Sequence, residues 1–240
     1  MKKSEIARQF DYKATSFLLL ASIALTFNSV LNFIASNSEL NAVLNTIIVS
    51  LVSILSICTY VFTLKGFVTV NKSCKLSEDN QDYYMGRKLT IMTIVFILIS
   101  VILSFVAVFM SYLISQYTQL DTLTNADERA RMNIMIITAV INLLLQFFAI
   151  STPYIVYVWK LRATIPAKDK LLSNIALLTV IVMVVQLAIG ILNSTYIAQN
   201  SHSTFLTSFS EILLTVKYIV LTVFLFLRRN RLIASVPDEE

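Results

Sequence analysis

The chain has 240 residues, 57% of them hydrophobic and only 14% charged, with a formal net charge of +5. A soluble domain of this length needs a charged shell that this composition cannot supply. The apolar residues also fall in blocks, several longer than the roughly 18 residues that mark a membrane-spanning helix, so the sequence predicts an all-α integral membrane protein.

In chain order, six apolar runs are expected to span: 16–35, 43–64, 89–115, 133–158, 172–192 and 205–227. Membrane strands would be shorter and would alternate, and these runs do neither. The expected architecture is a single transmembrane domain over 1–240, six helices in three helical hairpins.

The first run follows a basic start, "MKKSEIARQFDYKATSF", and continues through Asn28 and Asn32 without a small-residue cleavage site, so it reads as a retained span. Ahead of it, Ile6, Phe10, Ala14 and Phe17 recur at helical spacing beside Lys2, Lys3, Glu5 and Arg8. That pattern fits a helix lying in the membrane interface or a flexible basic anchor. After the second run, "GFVTVNKSCKLSEDNQDYYMGRK" is long enough for a short interfacial helix plus an extension of the third span. Cys58 and Cys74 are expected as free thiols, since two cysteines make no disulfide framework.

Basic residues set the orientation. Sixteen of the 19 lysines and arginines fall in the N-terminus, the loops after spans two and four, and the C-terminus. Basic loops stay cytoplasmic, so both termini are expected inside, in a protein of the plasma membrane. The opposite loops carry Arg129 and Arg131, and the remaining basic residue is Lys217, inside span six. None of the three outer loops is long enough to fold as a receptor domain.

Short motifs recur. "TYVF" (59–62), "PYIV" (153–156) and "KYIV" (217–220) mark the even spans, and "NFIASNS" (32–38) and "TYIAQNS" (195–201) the outer ends of spans one and five. Hairpin duplication explains this; so does a composition rich in Ile, Ser, Tyr and Asn, and the second account is preferred.

Catalysis is not expected, and neither is a cofactor or a metal. The sole histidine is His202 in an outer loop, and the motifs of zinc hydrolases, serine hydrolases and phosphate-binding loops are missing. The polar residues inside the spans are the remaining signal. Asn28 and Asn32 lie one turn apart, and Thr138, Asn142 and Gln146 step along span four ahead of Pro153. Gln186, Gly190 and Asn193 share a face of span five, and Thr46, Ser50 and Ser53 one of span two. Each stripe reads either as interhelical glue, at about 1 kcal/mol per hydrogen bond, or as the lining of a polar path.

Lys217 differs in kind. It lies about ten residues, or roughly 15 Å, inside span six, near the midplane of a core about 30 Å thick. Its stem is too short to reach either headgroup region, and its insertion costs about 3 kcal/mol. Glu211 is six residues earlier and about 120° around the helix, on a stripe with Thr215, Tyr218 and Thr222. At the depth of Lys217 the expected partners are Asn142 and Gln146. The candidate intramembrane site is therefore Lys217, Asn142, Gln146, Glu211, Gln186 and Asn28.

Two functions are compatible with this pattern. One is a permease-like transport or export subunit, resembling in topology alone the small export permeases that work with a separate ATPase. The other is an assembly, immunity or regulatory protein acting through helix–helix contacts. The expected partners are the lipid bilayer and a cytoplasmic protein, a membrane protein or a second copy; no nucleic acid is expected.

Overall fold

The computed structural model of the chain describes residues 3–37, 41–76, 85–99, 151–198 and 204–233, with single positions at 102, 105–106, 109, 133, 137 and 140. Asn142 and Gln146 lie outside the described residues, as do most of the fourth predicted span and most of the second half of the third. The described elements are helices: α1 (Lys3–Asn37), α2 (Ala42–Leu76), α3 (85–99), α4 (Thr152–Thr164), α5 (Lys170–Ala198) and α6 (Thr204–Ile233). Among them α1, α2, α5 and α6 are long and apolar enough to cross a membrane.

The helices run as far as the sequence lets them. Between Lys3 and Asn37 there is neither glycine nor proline, so the amphipathic start and the first apolar run form one continuous 35-residue helix, with no separate interfacial element. Likewise α2 continues past its apolar run to Leu76, taking up the segment expected as a separate short helix. Stops coincide with identifiable chemistry. Asn41 accepts the Leu44 N–H at 2.8 Å to cap α2. Ile165 takes extended backbone (φ −71°, ψ 128°) as the residue before Pro166, and α4 ends there. Asp169 then opens α5, accepting from Leu172 N–H at 3.4 Å, and pairs with Arg231 at 3.1 Å.

α1 packs on α2 and α6, α6 on α5, and α5 on α4. The pairings fix direction. Asn28 meets Ser56 and Ala7 meets Ser73, so α1 and α2 are antiparallel. Ser29 meets Thr215, Thr26 meets Thr222 and Ser16 meets Arg229, so α1 and α6 are antiparallel too. The start of α1 and the end of α6 therefore lie at one end of the bundle, where the Arg229 guanidinium donates to Tyr12 Oη at 2.7 Å and stacks on its ring.

The core is where these helices meet: Leu18, Phe67, Tyr154, Met183, Leu221 and Phe224 are fully buried or nearly so. Phe67 sets its ring edge-on to Tyr154 and Tyr157, tying α2 to α4. Large apolar side chains cover the outside, among them Phe27, Val43, Ile57 and Phe205. In water such a surface would drive aggregation. Against lipid tails it is the expected exterior.

Candidate functional site

α6 is the axis of the site because both of its polar faces are covered by protein. The face carrying Glu211, Thr215, Tyr218 and Thr222 turns to α1. There Ser29 Oγ and Thr215 Oγ1 are 2.7 Å apart, and Thr26 Oγ1 and Thr222 Oγ1 3.3 Å apart. These hydroxyls also bond back to their own helices, Thr215 to the Glu211 carbonyl and Thr222 to the Tyr218 carbonyl. Each then has a partner wherever it sits in the bilayer. Glu211 is half-buried at this seam and is not among the Lys217 partners.

On the other face Lys217 points into the bundle and is completely inaccessible to solvent. Its ammonium donates to Gln186 Oε1 on α5 at 3.0 Å and to Ser151 Oγ at the start of α4 at 3.3 Å. The ring of its neighbour Tyr218 lies 4.4 Å from Nζ, close enough for a cation–π contact. Gln186 and Ser151 are themselves buried. Three protein groups thus surround the ammonium, two neutral polar side chains and an aromatic face.

Ser151 is positioned by an irregularity. It occupies a π-helical turn, and α4 begins immediately after it with Pro153 in the first turn. Proline has no N–H to donate, and in the first turn of α4 none is required. One turn further along α4, Tyr154 is fully buried and its hydroxyl lies 3.2 Å from Thr63 Oγ1 on α2. Of the tyrosines in the recurring "TYVF", "PYIV" and "KYIV" motifs, Tyr218 lies against the ammonium and Tyr154 one helical turn from its partner Ser151.

The α1–α6 register sets Asn28 at about the level of Lys217. Asn28 Nδ2 donates to Ser56 Oγ at 3.0 Å and its Oδ1 accepts from Asn32 at 3.0 Å. Mid-bundle therefore holds a polar layer, Asn28–Ser56, Ser29–Thr215 and Ser151–Lys217–Gln186, with the Thr63–Tyr154 pair about two turns of α2 away. The span-two stripe is not part of it. Thr46, Ser50 and Ser53 are exposed, and the two serine hydroxyls return to the carbonyls four residues back on their own helix. Those two hydroxyls are satisfied within α2 itself.

Sequence reasoning put Gln186 among the candidates without assigning it to Lys217, and it missed Ser151. Ser151 sits one position off the four-residue rhythm of Thr138, Asn142 and Gln146; the proline two residues on was its only signal. Among known proteins the chain matches no family model, no curated sequence and no solved structure.

Proposed function

We propose that this chain is the membrane subunit of a transport or export system: six spans in three hairpins, both termini cytoplasmic, in the plasma membrane, working with a separate partner protein. The observation that carries the reading is Lys217, an ionisable side chain fully buried in a mid-bundle polar layer and held by Gln186 and Ser151. A residue so costly to insert, facing the bundle interior, is the usual mark of a substrate or ion path. The gathering of Tyr12, Asp169, Arg229 and Arg231 at one end supports the topology, since it brings the basic termini and a basic loop together.

The test is water access. With Cys58 and Cys74 replaced by Ala, Ser151→Cys is exposed to an impermeant thiol reagent from each face of sealed vesicles. A transport subunit cycles the layer into contact with solvent, so labelling is expected from at least one face. Protection from both faces, with the partner present and absent, overturns the reading.

A second reading has its own support. Every polar pair in the layer is satisfied within the chain, which is also what a protein acting purely through helix–helix contact needs. Permanent protection of Ser151→Cys is the result that reading expects.

A further inference from the structure

We propose that the Lys217 layer is an occluded site for a small oxyanion, a carboxylate or phosphate group carried by a water-soluble solute. The proposal rests on the transport reading and names the chemical class of what is carried. Its basis is an imbalance of charge and of donors. Within the six predicted spans the only acidic residue is Glu211, and it belongs to the α1-facing stripe of α6, about 120° away from Lys217. Among the described residues the ammonium's partners are Gln186 Oε1, Ser151 Oγ and the Tyr218 ring. Amide and hydroxyl oxygens solvate a cation but carry no countercharge, and buried charges are ordinarily paired.

The neighbourhood is rich in groups that donate to an anion. Ser151 carries a hydroxyl 3.3 Å from the ammonium, and the buried Tyr154 hydroxyl belongs to the next turn of α4. Hydrogen bonds to a charged acceptor are about twice as strong as those between neutral groups. An oxyanion entering here would take the ammonium from Gln186 and gain several donors at once. At mid-bundle no lipid headgroup reaches the site, so the anion comes from solution.

The experiment uses the full chain in neutral detergent. Its two free cysteines, Cys58 and Cys74, let a thiol-reactive fluorogenic dye report thermal unfolding. The Tm is compared in sodium chloride, sodium acetate and sodium phosphate at equal ionic strength. Acetate, phosphate or both should raise the Tm over chloride by about 2–4 °C, the shift expected when ligand exceeds its Kd several-fold. Whichever salt acts identifies the anion as carboxylate or phosphate. Lys217→Arg should keep the shift and Lys217→Gln should lose it. Gln186→Leu has the decisive sign: its Tm in chloride falls, and the oxyanion shift grows, because the anion now supplies the missing acceptor.

Equal Tm in all three salts overturns the proposal, as does an identical shift in Lys217→Gln. Should Lys217→Gln fail to fold, a Gln186→Leu shift no larger than the parent's overturns it instead. Loss of the transport reading looks different. Ser151→Cys then stays unlabelled from both faces while the oxyanion shift persists; labelling without any oxyanion shift removes the anion site alone.

Discussion

Lys217 Nζ and Gln186 Oε1 are 3.0 Å apart, bridging α6 and α5 at a depth where neither has access to water. This contact sets the behaviour of both helices, because each partner is costly to bury without the other. An ammonium stripped of its acceptor loses a hydrogen bond to a charged group, and an amide stripped of its donor is left with an unsatisfied oxygen.

The first prediction follows from that mutual dependence. Gln186→Leu and Lys217→Leu are expected each to lower thermal stability in detergent, and the double variant to lose less than the two together. The coupling should be about 1 kcal/mol, in line with polar pairs between membrane helices. Strict additivity in the cycle would show that Gln186 does not stabilise the lysine.

A second prediction concerns the close approach of α1 and α2. A methyl group added at Gly66 would sit 2.5 Å from Leu18 Cδ2 and 2.6 Å from its Cγ. Leu18 is fully buried, so any shift it makes must be taken up by its packed neighbours. Gly66→Ala should therefore cost about 1–3 kcal/mol, the usual range for overpacking. Leu18→Ala alone leaves a cavity and also destabilises, but it vacates the space the new methyl needs. The pair should be more stable than the sum of the singles predicts. A Gly66→Ala variant as stable as the parent would place the two helices further apart than described.

The apolar runs at 16–35, 43–64, 172–192 and 205–227 announced the four long helices because lipid demands unbroken apolar length. The ends were less legible. A run of apolar residues marks a span, whereas α1 and α2 continue beyond theirs, back to Lys3 and on to Leu76. At the site, the depth of Lys217 could be counted from Arg228, but its partners could not. Hydrogen bonds between helices depend on register and rotation, and a shift of one residue turns a helical side chain by about 100°. Ser151, one position off the rhythm of Thr138, Asn142 and Gln146, reaches the lysine; Asn142 and Gln146 lie outside the described residues.

The third prediction tests sidedness. With Cys58 replaced by Ala, native Cys74 should resist an impermeant thiol reagent in intact cells. Ser38→Cys and Ser201→Cys, made with Cys74 replaced by Ala and lying outside the described residues, should react. Cys74 lies on the stretch of α2 whose Ser73 hydroxyl donates to the Ala7 carbonyl at 2.9 Å, near the start of α1. It therefore shares an end with the basic N-terminus. Reaction of Cys74 from outside would invert the topology and move the Arg229–Tyr12 contact to the outer face.

The last prediction separates the cost of Lys217 from what offsets it. As an isolated segment, span six carries a lysine near its centre with neither Gln186 nor Ser151 present. Lys217→Leu should then favour insertion by about 3 kcal/mol, on the order of a hundredfold in the insertion equilibrium. When spans five and six are inserted together as a hairpin, Gln186 arrives with α5 and supplies the 3.0 Å acceptor. The lysine's handicap should shrink by about 1 kcal/mol, the worth of one such contact in a bilayer. Gln186→Leu in the hairpin should restore the full handicap, since the amide is the only part of the site that α5 contributes among the described partners of Lys217. The measurement is the inserted fraction, read by glycosylation of engineered flanking acceptor sites, for the four combinations of Lys217 or Leu with Gln186 or Leu. A handicap equal in the isolated span and in the hairpin would mean that α5 does not relieve the lysine during insertion. The compensation would then fall to Ser151 and the Tyr218 ring, and Gln186→Leu would be silent in the hairpin assay.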